Sequence, residues 1–80
     1  NSNISKIEMT NIAKSTLDYI KESVRNKNIS GNYNDTETIN DYEIRKIVEE
    51  DEYYYKCYKI VIEVKKKEQI RRLESYVLQQ

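Results

Sequence analysis

Apolar residues in the first third of the chain recur at steps of three and four: Met9, Ile12, Ala13, Leu17, Ile20 and Val24. Lys6, Lys14, Asp18, Lys21, Glu22 and Arg25 occupy the positions between them. That period belongs to an amphipathic helix with one buried stripe. Ser5 followed by Glu8 reads as a capping box, with Ile4 and Met9 as its hydrophobic staple, so the helix is expected to begin at Lys6. It should fray at Asn26–Asn28, ahead of Gly31, the single glycine.

Residues 29–38 are dominated by Asn, Asp, Ser and Thr, whose side chains bond nearby backbone, and the expectation is a loop. Asn32, Asn34, Thr36 and Glu43 are spaced somewhat like a calcium loop. The opening Asp and the central Gly that such a loop needs are missing. Residues 39–50 admit two readings. Asn40 and Glu43 could cap a second helix carrying Ile47 and Val48. Alternatively Tyr42, Ile44 and Val48 alternate as a strand that turns at Glu50 and Asp51. The strand is favoured, because the next segment needs a neighbour.

That segment, Tyr53–Val64, combines β-branched and aromatic residues without interruption and is expected to be one long strand. A strand cannot satisfy its own backbone donors and acceptors, so the two segments should form a hairpin. Tyr54, Lys56, Tyr58, Ile60, Ile62 and Val64 fall on one face, which is expected to face the core. Tyr53, Tyr55, Cys57, Lys59, Val61 and Glu63 fall on the other. Past Lys67, Ile70, Leu73 and Val77 suggest a closing helix, with Arg71, Arg72 and Glu74 outside. The expected fold class is therefore α+β: a single small domain over residues 1–80, ordered helix-strand-strand-helix, both helices on one face of the hairpin.

Eighty residues, 38% hydrophobic and 35% charged, give a thin core. With one cysteine and no histidine, neither a disulfide framework nor an ordinary zinc site can reinforce it, which leaves a homodimer or a protein partner as the natural support. The missing histidine also removes the usual general base near neutral pH. Cys57 without one lacks its customary activator and reads as a small apolar residue. No catalytic set, cofactor motif or metal site is expected. No apolar run is long enough to cross a bilayer and no signal peptide is recognisable, so a soluble cytoplasmic protein is expected. The first residue is Asn rather than Met, which leaves room for an upstream segment.

The net charge is zero but unevenly distributed. Residues 1–31 carry five basic and three acidic side chains, 32–52 two and eight, and 53–80 seven and three. The acidic run Glu49–Glu52 reads first as a solvated turn. The basic set Lys65, Lys66, Lys67, Arg71 and Arg72, with Lys56 and Lys59 among tyrosines, suits phosphate contacts and base stacking, yet lysine also guards sheet edges. Two functions are carried forward. The first is a non-enzymatic protein interaction module, an adaptor or an inhibitor of the kind phages encode, with Tyr42, Tyr53, Tyr55 and Tyr58 as anchors. The second is a weak nucleic-acid binder working through the basic carboxy-terminal segment.

Overall fold

The computed structural model describes the backbone of residues 2–80 and the side chains from Ile4 onward. One helix, α1 (Ser2–Arg25), precedes four strands: β1 (Tyr33–Ile39), β2 (Tyr42–Glu50), β3 (Cys57–Lys66) and β4 (Gln69–Leu78). The strands form one antiparallel sheet in chain order, and α1 lies across one face of it. The α+β class is as expected, and so is the hairpin of β2 and β3, with Ile44 opposite Val64 and Val48 opposite Ile60.

Several expectations are corrected. The helix starts well before Lys6, so Ser5 and Glu8 sit inside it and form no cap. Glu8 instead accepts a hydrogen bond from the Tyr42 hydroxyl at 2.6 Å. Residues 33–38, within the segment expected as loop, form edge strand β1 together with Ile39. Its residues are almost all exposed, so it carries no apolar alternation to betray it.

The expected closing helix is strand β4, so the order is helix followed by four strands. Leu73 and Val77 are four apart, a spacing that puts two residues on one face of either a helix or a strand. The β3 backbone, otherwise unpaired on that side, resolves the ambiguity. Finally, the long strand begins at Cys57, and Tyr53–Lys56 belong to the β2–β3 loop. There the Asp51 carboxylate accepts the Tyr53 and Tyr54 N–H groups at 2.8 and 3.0 Å, holding a turn against strong β-propensity.

Hydrogen bonds finish the helix where fraying was expected. Lys27 is left-handed, with φ of 63°; its N–H donates to Val24 O, and the Asn28 N–H to Ser23 O. This is a Schellman cap with lysine in the position glycine prefers. The Gln79 side-chain amide donates to the carbonyls of Val24 and Ile29, tying the carboxy-terminal end of the chain to the helix end. Asn40 and Asp41, both at positive φ, form the two-residue turn between β1 and β2.

The core lies between α1 and the sheet. Met9, Ala13, Ile20 and Val24 meet Tyr42, Ile44, Val48, Tyr58, Ile60, Ile62, Val64 and Val77. The helix covers β3 and β4, touches β2 lightly and does not reach β1. Lys46 therefore occupies a core-parity position of β2 without strain, because its ammonium binds Asp35 and Glu37 of β1 at 3.5 and 2.7 Å. Among the described residues, no helix is long and apolar enough to cross a membrane.

Candidate interaction surface

The β2–β3 loop places three consecutive tyrosines in solvent. Tyr53, Tyr54 and Tyr55 are 86%, 70% and 88% exposed. The loop backbone is nevertheless held at both ends. Besides the Asp51 carboxylate contacts, the Asp51 N–H donates to Cys57 O at 2.8 Å, and the Cys57 N–H donates to Tyr54 O at 3.2 Å. The Glu50 N–H is bound by the Asn32 side chain at 2.9 Å, and the Lys56 ammonium stands 5.5 Å from the centre of the Tyr55 ring. The acidic run ahead of these rings, expected as a solvated turn, is divided: Glu49 and Glu50 are the last residues of β2, paired with Lys59 and Tyr58, and the turn starts at Asp51, whose carboxylate is turned inward to the backbone.

The four tyrosines expected as anchors separate into two pairs. Tyr53 and Tyr55 are exposed. Tyr42 and Tyr58 are buried, at 4% and 5% exposure, and cannot contact a partner. Both lie on the helix-facing side of their strands, where alternation with Ile44 and Ile60 puts them in the core. Tyr54, expected on the core face, is instead in the exposed loop. The signal that would have found it is Asp51 at the head of the segment, a residue whose side chain readily caps the next two or three N–H groups.

Tyr42 sits in a polar corner of the core. Its hydroxyl donates to Glu8, and the Lys66 ammonium lies 5.1 Å from its ring centre. The bond to Glu8, followed by burial, raises the Tyr42 pKa above the ordinary tyrosine value. Lys46 is likewise raised, chiefly by its bond to Glu37.

The basic residues do not share one face of the sheet. Lys65 is on the sheet face away from α1, Lys66 and Arg71 are on the face toward it, and Lys67 is in the β3–β4 turn. Arg72 is engaged by Glu63 at 3.7 Å and Glu74 at 3.2 Å, and Lys59 by Glu74 at 3.4 Å. With Arg45, 3.8 Å from Glu63, these side chains make a ladder of alternating charge across the open face and shelter Val61 beneath it. Lys65–Lys67 gather at the end of the sheet opposite the tyrosine loop, beside Asp41 and Glu43 of the neighbouring turn and strand.

Cys57 is half-buried at the start of β3, opposite Leu78. Among the described residues, no three His, Cys, Asp or Glu side chains converge on a point that could hold a metal ion. No protein-family model matches the chain, nor does any curated protein or any solved structure.

Proposed function

We propose that this protein is a non-enzymatic binding module that docks another protein through the loop carrying Tyr53, Tyr54 and Tyr55. The observation that carries this reading is the exposure of three adjacent aromatic rings on a loop held by backbone hydrogen bonds at Asp51, Tyr53, Tyr54 and Cys57. Exposed aromatic clusters on small domains mark contact surfaces, and tyrosine offers large area with few rotatable bonds. A loop ordered before binding loses less entropy on docking, so more of the contact energy becomes affinity. The neighbouring Glu49, Glu50 and Glu52 favour a partner with a basic rim around an apolar pocket. The basic residues suggested for nucleic acid do not form one face, and Arg72 and Lys59 are already neutralised by carboxylates.

The test compares the wild type with a Tyr53→Ser, Tyr54→Ser, Tyr55→Ser variant in affinity capture from host extract, quantified by mass spectrometry. The three rings pack against no core, so urea unfolding should be unchanged. A protein retained by the wild type and lost from the variant is the expected result. Recovery of the same proteins by both overturns the assignment of the loop.

A further inference from the structure

The outer edge of β4 is one margin of the sheet. The Gln79 N–H donates to Lys56 O at 2.8 Å, one step beyond the pair Cys57–Leu78. Hydrogen-bonded and non-hydrogen-bonded pairs alternate along an antiparallel ladder, so this bond fixes its phase. The odd-numbered residues of β4 direct their N–H and C=O groups to β3. Ile70, Arg72, Glu74 and Tyr76 direct theirs outward, past the last strand of the sheet.

We infer that two copies of this chain join β4 to β4 about a two-fold axis at Leu73, making one continuous eight-stranded antiparallel sheet. In that register Arg72 lies opposite Glu74 of the second copy, and Ile70 lies opposite Tyr76 of the second copy. Both of these apolar side chains stand largely in water in the single chain, at 61% and 59% exposure. Arg71 meets Ser75 and Gln69 meets Val77, so no like charges oppose each other. The interface is self-complementary, as a two-fold requires: each favourable pair occurs twice.

The opposite edge lacks this property in its central register. Pairing β1 with β1 about Thr36 sets Asp35 against Glu37 on both sides of the axis. The helix leaves room for the β4 joint. It is centred over β3 and β4, so the two helices would run side by side at roughly two strand spacings, about 10 Å, which is an ordinary helix-packing distance. The joint is separate from the tyrosine loop and does not depend on what that loop binds.

Sedimentation velocity across a concentration series tests the dimer. The substitutions Ile70→Glu and Tyr76→Glu each place a carboxylate opposite a lysine of β3, Lys65 and Lys59, so the single chain should fold as before. Each also removes an apolar partner twice over from the joint and should weaken the dimer by about tenfold or more. Register is read separately with Ile70→Cys and Tyr76→Cys combined in a Cys57→Ser background. Those cysteines are about 20 Å apart within one strand but directly opposite across the joint, so oxidation should give a covalent dimer. A wild type that sediments as a monomer at every concentration overturns the inference. So does a dimer that both glutamate variants leave intact, or a failure of the double cysteine to cross-link.

Discussion

Tyr42 shows how a single residue can be assigned correctly to a strand and wrongly to a surface. Its alternation with Ile44 and Val48 is plain in the sequence, but only the position of α1 reveals that this face is the covered one, with Glu8 waiting for the hydroxyl. The consequence is measurable at alkaline pH. Tyr42 and Lys46 both hold their protons more tightly in the folded chain than in the unfolded one. The stability they add is whole below pH 10.0, the ordinary tyrosine value, and is lost as the pH climbs through the raised values. Urea midpoints should therefore fall above pH 10, and Tyr42→Phe should lower the midpoint at pH 7 while flattening that alkaline fall. A variant that keeps the full alkaline decline would show that Tyr42 is not its source.

At the scale of elements, turns are where local chemistry and sequence periodicity compete. Lys27 ends α1 in a left-handed conformation that costs an ordinary residue roughly 1 kcal/mol. Lys27→Gly should accordingly stabilise the protein by about 1 kcal/mol, read as a higher urea midpoint with an unchanged slope; no gain would mean that the lysine side chain compensates in place. The same competition explains what was legible. α1 was visible because its apolar stripe is long. β3 was visible from Cys57 onward because its β-branched run is buried on the helix side, with Val61 covered on the other.

β1 was not visible, since an edge strand that α1 does not cover needs no apolar face. In β4, apolar residues three and four apart imitate a helix, and the preference of β3 for a neighbour is a nonlocal fact. In the candidate site, the exposure of Tyr53 and Tyr55 was anticipated from the sequence, whereas that of Tyr54 required the Asp51 turn.

The described residues form a single layer of sheet under a single helix, and their buried side chains gather in one core between the two. Ile62 is fully buried at the centre of β3, between β2 and β4. Ile62→Ala should cost about 3 kcal/mol, a large share of the roughly 5–15 kcal/mol that stabilises an ordinary domain. Helix circular dichroism and tyrosine fluorescence should report the same shifted transition; separate transitions would show that helix and sheet unfold independently. The ion-pair ladder on the open face is half-exposed, and its members should matter much less.

From the sequence alone came the amphipathic helix, the β2–β3 hairpin and the α+β class, all of which depend on local periodicity or on composition. Tertiary structure decided that the carboxy-terminal segment is a strand, that residues 33–39 join the sheet, and which tyrosines are buried. Those outcomes turn on where unpaired backbone finds a partner and where the helix casts its cover, and both are set between segments distant in the chain.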